Sequence, residues 1–92
     1  MSWTVEASRK VKKALPRLPR KVREAYVALA LDIESGGPVR GDWPNYGKLG
    51  PKRHHCHIKT GKPTYVAVWE TPENTIRFVE VTYVGTHANA PY

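Results

Sequence analysis

The segment between positions 52 and 59 concentrates side chains that could act on a phosphodiester. It reads Lys-Arg-His-His-Cys-His-Ile-Lys, so six of its eight residues carry a cationic or imidazole group. A further histidine, His87, lies in the sequence Gly-Thr-His at positions 85–87. Imidazoles exchange protons near neutral pH, and fixed positive charges stabilise phosphate oxygens. These residues therefore predict acid–base chemistry on a nucleic acid backbone.

The spacing of the histidines predicts which of them faces a substrate. In a strand that covers residues 54–59, alternation places His55, His57 and Lys59 on one face and the apolar Cys56 on the other. Cys56 and Ile58 are apolar and are expected in the core, so the histidines are expected on the open face. His57 is then the candidate catalytic residue of this strand. His55 takes its place if the register of the strand differs.

Cations in the second half of the chain could bind phosphate. Lysine and arginine supply charge-assisted hydrogen bonds to phosphoryl oxygens and stabilise the charge of a transition state. The candidates for phosphate or RNA contact are Lys48, Lys52, Arg53, Lys59 and Arg77, with His55 beside them. Each of these side chains could instead belong to an ordinary solvated surface.

The overall composition restricts the class of protein. A length of 92 residues, 40% hydrophobic content and the single cysteine Cys56 predict one domain over residues 1–92 without an internal disulfide. A net charge of +7 and a pI near 9.8 predict nucleic acid, the ribosome or an acidic protein as partner. The chain contains no long uncharged apolar run, and its first residues do not resemble a signal peptide. We therefore expect a cytoplasmic protein with no membrane partner.

Two helices and several strands are predicted to position these groups. Ser8 is suited to cap a short helix that Pro16 ends, and Pro19 is suited to the first position of a second helix that runs to about Ser35. Strands are predicted over residues 3–6, 54–59, 64–70 and 75–84, with a loop over residues 39–51. The predicted fold class is α+β, with an N-terminal strand and a helical hairpin packed on a small antiparallel β-sheet. The other face of the sheet is expected to be partly open.

This order of elements resembles the RelE/ParE superfamily of toxins from type II toxin–antitoxin systems. The resemblance covers nearly the whole chain. It is carried by Leu-Pro-Arg-Leu-Pro at positions 15–19 of the hairpin, Tyr-Val-Ala-Val-Trp at positions 65–69, and Gly-Thr-His at positions 85–87 before the aromatic Tyr92. The last of these sequences is similar to that of the RelE-like branch, whose members cut messenger RNA on the ribosome.

The resemblance implies a ribosome-dependent mRNA endoribonuclease that needs no metal or other cofactor and that a cognate antitoxin neutralises. It implies that His87 is a general acid or base, and that His57 is similar to a strand histidine of some relatives and is its partner. Tyr92 matches the family's C-terminal aromatic residue and is expected to stack on an RNA base. Which histidine donates a proton and which accepts one is left open.

Other interpretations of the same residues remain. ParE-like members of the superfamily poison DNA gyrase and lack ribonuclease residues, and a basic chain could also bind RNA or the ribosome without cutting it. His55, His57 and His87 could share a zinc ion, although the sequence offers no spaced cysteine or histidine pair to complete a tetrahedral ligand set. We therefore predict no metal site.

Overall fold

The computed structural model of the chain describes residues 2–92, in which two helices cover one face of a five-stranded sheet. The elements in chain order are β1 (Thr4–Ala7), α1 (Arg9–Ala14), a 3₁₀ turn (Leu15–Arg17), α2 (Arg20–Gly36), β2 (Gly47–Lys48), β3 (Arg53–Lys59), β4 (Tyr65–Glu70), β5 (Phe78–Thr86) and a second 3₁₀ turn (His87–Asn89). The predicted α+β class is confirmed.

The helices begin and end where the sequence supplies caps and breakers. The side chain of Ser8 accepts a hydrogen bond from the backbone N–H of Val11 at 3.2 Å, which satisfies one free donor of the first turn of α1. Pro19 precedes α2 instead of occupying its first position, and Gly37 ends it with φ 93°. Within residues 2–92, neither helix combines the length and apolar character needed to cross a bilayer.

The sheet has the strand order β1-β5-β4-β3-β2. The pairs β3–β4 and β4–β5 are antiparallel, as predicted, and the additional strand β2 is antiparallel to β3. However, β1 runs parallel to β5, so the sheet is mixed. A strand joined to its neighbours by tight turns must run antiparallel to them, whereas β1 is joined to the rest of the sheet through both helices. The two-residue strand β2 lies inside the segment that we predicted to be a loop, and β5 begins and ends later than predicted.

The core lies between the helices and one face of the sheet, which we call the inner face. Helix residues Leu29 and Ile33 are fully buried there, and Trp69 of β4 is the largest fully buried side chain. Cys56 is part of the same core, and burial raises the pKa of its thiol to about 12. The thiol is therefore protonated and unreactive at neutral pH.

Candidate functional site

Strand β3 presents its histidines alternately to the two faces of the sheet. His54, Cys56 and Ile58 are buried, while His55 and His57 are only partly buried. Cys56 and Ile58 belong to the core beneath the helices, so His55 and His57 lie on the opposite side, which we call the outer face. The predicted division of these residues between two faces is confirmed for positions 55 to 58.

The segment after β5 brings His87 to the outer face beside His57. The backbone N–H of His87 donates to the carbonyl oxygen of Thr64 at 2.8 Å, which extends the β4–β5 pairing by one hydrogen bond. The ring centroids of His57 and His87 then lie 5.4 Å apart, with the ring planes at 73°. Two imidazoles from distant parts of the sequence therefore meet at one place.

Two further rings adjoin this pair. The ring of Tyr92 lies 4.7 Å from that of His55 and 6.0 Å from that of His87, between centroids. We call His55, His57, His87 and Tyr92 the ring cluster. It contains the predicted catalytic pair and two of the predicted RNA contacts.

The floor beneath the ring cluster is apolar. Val66 and Val68 lie opposite His57 and His55 in the β3–β4 pairing, and both are fully buried although neither belongs to the core beneath the helices. The outer face is therefore covered along this part of β4. A dry floor strengthens electrostatic interactions of the groups that lie on it.

Glycine makes room for His55 of the ring cluster and for Tyr83 at two positions that sequence reasoning did not single out. A Cβ atom on Gly85 would lie 2.6 Å from the Tyr83 hydroxyl oxygen, and one on Gly47 would lie 3.0 Å from Nε2 of His55. The Tyr83 hydroxyl donates to the carbonyl oxygen of Thr86 at 2.7 Å, next to His87. The spacing of Tyr83 and Gly85, two residues apart on one strand, was the available signal for their contact.

The surroundings of His55 make its protonation less favourable than that of a solvated histidine. Burial, followed by the neighbouring charges of His57 and His87, lowers the pKa of His55. Its Nδ1 is buried and has no hydrogen-bond partner among residues 2–92. The surroundings of His55 therefore favour its neutral form.

The loop between α2 and β2 holds β3 in place from the far edge. The backbone N–H of His57 donates to the carbonyl oxygen of Pro44 at 2.8 Å. The Trp43 indole N–H donates to Asp32 at 2.8 Å, which fastens this loop to α2. One residue of the loop, Tyr46, is joined by its hydroxyl to Nδ1 of His54 at 2.7 Å. The position of His57 therefore depends on a loop with no regular structure.

Two of the predicted phosphate contacts lie on β3 but differ in their surroundings. Arg53 occupies the outer face four residues before His57 and forms an ion pair with Glu70 at 3.8 Å. A bulge between His57 and Lys59 interrupts the strict alternation on which we placed Lys59, and Lys59 pairs with Tyr65 instead. Lys59 remains exposed next to the ring cluster along the chain.

The three other predicted cations lie around a cavity at the opposite end of the sheet. We call it the end cavity; it has a volume of about 360 Å³ and is lined in part by Lys48, Lys52, Arg77, Trp3 and His54. These residues lie where β3 and β5 begin, whereas His57 and His87 lie towards the other end of those strands. The structure thus divides the predicted contact residues between two places.

The described part of the chain offers no metal centre. Among residues 2–92, no three His, Cys, Asp or Glu side chains form a group that could hold a metal ion. The zinc site considered for His55, His57 and His87 therefore has no support in the geometry.

The fold defines the class of protein, namely small α+β domains with the fold of RelE. Two solved structures share this fold. The archaeal RelE in the RelE–RelB complex from Pyrococcus horikoshii OT3 is 14% identical, with a TM-score of 0.71 over 98% of this chain and 100% of that chain. A mutant of the E. coli toxin RelE in the free state is 16% identical, with a TM-score of 0.73 over 97% of this chain and 88% of that chain. No family model and no curated protein matches the sequence.

Proposed function

We propose that this chain is the toxin of a toxin–antitoxin pair and that it cleaves messenger RNA on the ribosome. The observation that carries the proposal is the 5.4 Å separation of the His57 and His87 rings on the outer face. The shared fold supports it, since one neighbour is described as the toxin RelE. The net charge of +7 supports an RNA target.

The proposed reaction is a transesterification within the RNA. One imidazole takes the proton of a ribose 2′-hydroxyl, whose oxygen attacks the adjacent phosphorus. The bond from phosphorus to the 5′-oxygen breaks, and the second imidazole gives that oxygen a proton. The products are a 2′,3′-cyclic phosphate and a free 5′-hydroxyl. In this proposal the two imidazoles supply the proton transfers that accompany formation and cleavage of the P–O bonds, and the proposed enzyme needs no metal.

The other members of the ring cluster have supporting roles in this proposal. Tyr92 would stack on a base next to the scissile bond. A neutral His55 can accept or donate one hydrogen bond to RNA through Nε2, the ring nitrogen near Gly47. Arg53 and Lys59, on the same strand, would contact the phosphates that flank the cleaved one.

We further propose a cognate antitoxin as protein partner and a cytoplasmic site of action. The archaeal neighbour was solved as a complex of RelE with RelB. A chain with this excess of positive charge is complementary to an acidic polypeptide. Translating ribosomes, the proposed target, are in the cytoplasm.

The decisive experiment is expression of the chain in cells, followed by mapping of mRNA 5′ ends. New 5′ ends within translated reading frames are expected within minutes of induction. His57→Ala and His87→Ala should abolish them, while Asn89→Ala, in the same 3₁₀ turn as His87, should not. DNA breaks with intact transcripts would instead indicate a gyrase poison. Growth arrest with intact transcripts and intact DNA would indicate a non-catalytic binder.

A further inference from the structure

The end cavity is separate from the ring cluster and has no role in the proposed cleavage. It opens where β3 begins, and Arg53, the first residue of β3, is four residues before His57. At the rise of an extended strand, this places the two sites about 13 Å apart along β3. A group bound in the end cavity could not touch the scissile bond.

Positive charge dominates the end cavity. Lys48, Lys52 and Arg77 line it from β2, from the turn before β3, and from the residue before β5. Lys52 forms an ion pair with Glu73 at 2.8 Å. Among residues 2–92, Lys48 and Arg77 have no carboxylate within ion-pair distance. Two of the three cations are therefore available to an anion.

The backbone and an aromatic ring orient Arg77. Its guanidinium carbon lies 6.0 Å from the centroid of the Trp3 ring, a cation–π arrangement that restricts the side chain. Its backbone has φ 50°, a left-handed conformation that is costly for a branched or long side chain, and its carbonyl accepts the Thr4 N–H at 2.8 Å. A glycine would adopt this conformation more easily, so the arginine is retained at a conformational cost.

A buried imidazole forms part of the cavity wall. His54 is only 3% exposed, and its Nδ1 is occupied by the Tyr46 hydroxyl at 2.7 Å. No hydrogen bond of Nε2 to a residue in the range 2–92 is present, and His54 is one of the residues that line the cavity. Trp69 stacks on the ring at 5.8 Å between centroids and fixes its plane. The cavity thus combines two lysines with an arginine and a histidine whose orientations are restricted by neighbouring aromatic rings.

We propose that the end cavity binds a phosphate group, with Lys48, Lys52 and Arg77 as its cations and His54 in its wall. Converging cations, one of them a planar guanidinium that can bind two oxygens at once, match a phosphate better than a single carboxylate. The volume of about 360 Å³ is sufficient for a nucleotide. The phosphate could belong to an RNA strand or to a free nucleotide. Only the RNA source rests on the proposed function, as a second anchor for the strand that is cut.

The first test is an NMR titration in which the imidazole signals of His54 report on the cavity and those of His57 and His87 report on the ring cluster. The probes are inorganic phosphate, adenosine 5′-monophosphate and a 2′-O-methyl RNA hexanucleotide, which lacks the attacking hydroxyl. Saturable shifts of the His54 signals are expected with each probe. Absence of any His54 shift with all three would overturn the proposal. An equally tight response to an oligoglutamate peptide would also overturn it.

Affinity ratios identify the source of the phosphate. Tighter binding of the hexanucleotide than of the mononucleotide would assign an RNA strand, and equal binding would assign a free nucleotide. The hexanucleotide should bind the end cavity of His57→Ala as well as that of the wild type. If His57→Ala loses cleavage but its end cavity still binds the hexanucleotide, the phosphate site is independent of the cleavage site.

The second test changes the cations. Lys48→Gln and Arg77→Gly should each weaken phosphate binding about tenfold, the effect of one charge-assisted hydrogen bond. Lys21→Gln, which removes the same charge from the exposed surface of α2, is the matched control and should leave binding unchanged. Glycine adopts the left-handed conformation of residue 77 more easily, so Arg77→Gly is expected to fold, and its temperature of unfolding checks this. Equal weakening in Lys21→Gln would mean that only net charge matters and would refute the site.

A third variant should improve binding. Glu73→Gln removes the carboxylate that pairs with Lys52 and therefore frees the third cation. We expect phosphate to bind several-fold more tightly to this variant, by relief of like-charge repulsion. A loss of binding in Glu73→Gln would contradict the assignment of Lys52 to the phosphate.

Discussion

The imidazoles of His57 and His87 meet edge to face at 5.4 Å between centroids, although His57 lies in β3 and His87 follows β5. Strand β4 lies between β3 and β5. The hydrogen bond from the His87 N–H to the Thr64 carbonyl holds the segment after β5 beside the start of β4, and the His87 ring contacts His57 from there. Activity that needs both rings therefore needs the complete sheet.

Removal of either ring should abolish RNA cleavage without unfolding the protein. His87→Ala changes an exposed residue, so the temperature of unfolding should stay within a few degrees of that of the wild type. Cleavage on the ribosome should fall by about 10²- to 10⁴-fold, the usual contribution of a general acid or base. The measurement is the rate of appearance of new mRNA 5′ ends with purified ribosomes. Full activity in the double variant His57→Ala/His87→Ala would refute the assignment.

Gly85→Ala should disturb the ring cluster through Tyr83. The added Cβ would lie 2.6 Å from the Tyr83 hydroxyl oxygen, so the phenol must move and release the Thr86 carbonyl next to His87. We expect a loss of about 1–3 kcal/mol in the free energy of unfolding, as for other overpacked sites. Urea denaturation measures this loss, and a cleavage assay should show reduced activity.

Two variants control the Gly85 experiment. Gly41→Ala places a methyl group where nothing lies within 4 Å, so its unfolding free energy should be nearly that of the wild type. Adding Tyr83→Phe to Gly85→Ala removes the nearest clashing atom and should restore part of the lost stability. A double variant less stable than Gly85→Ala alone would show that Tyr83 is not the obstacle.

The free energy of unfolding should decrease as the pH falls below the pKa of an ordinary histidine. Burial, and secondarily the charge of Lys48, lowers the pKa of His54, and the pKa of His55 is lowered in the same direction. The unfolded chain, with histidine pKa values of about 6.5, therefore binds more protons than the folded one, and the free energy of unfolding rises with pH. This contribution to the free energy of unfolding is fully present above about pH 6.5 and is lost progressively at lower pH.

His54→Phe tests this linkage. Phenylalanine can keep the stack on Trp69, and it removes one titrating group. Urea denaturation at several pH values should show a shallower dependence for this variant, with His55 responsible for what remains. An unchanged slope would mean that His54 binds protons equally in the folded and the unfolded chain, so that folding does not lower its pKa.

The first helix should depend on its N-cap. Ser8→Ala removes the acceptor of the Val11 N–H and should cost about 1 kcal/mol of unfolding free energy. Ser8→Asp keeps an acceptor at the cap and should retain most of the stability. Neither change reaches the ring cluster, so cleavage per folded molecule should equal that of the wild type. A fall in cleavage without a fall in stability would contradict this separation.

Local chemistry made the helices and β3 predictable. Ser8, Pro16 and Gly37 act on their own neighbours, and the burial of Cys56 follows from alternation. Long-range pairing was less accessible. The parallel alignment of β1 with β5 depends on how both helices cross the sheet, and no short motif encodes it.

The site shows the same division. The outward direction of His57 follows from one strand, so the sequence was sufficient to predict it. The end cavity is assembled from five separate parts of the chain, and Lys48, Lys52 and Arg77 resembled other surface cations until their positions were known. The bulge before Lys59 likewise has no glycine or proline to mark it.

The pairing of Thr4 with Phe78 means that the first strand has no partner until most of the chain has left the ribosomal exit tunnel. During synthesis the strand's hydrogen-bonding groups and one side of the hydrophobic interior are exposed, a state that favours aggregation or capture by chaperones. His87 lies beyond Phe78, so an incomplete nascent chain has neither a closed sheet nor a pair of imidazoles. Premature termination anywhere before residue 87 should therefore release a polypeptide that lacks the proposed ribonuclease activity.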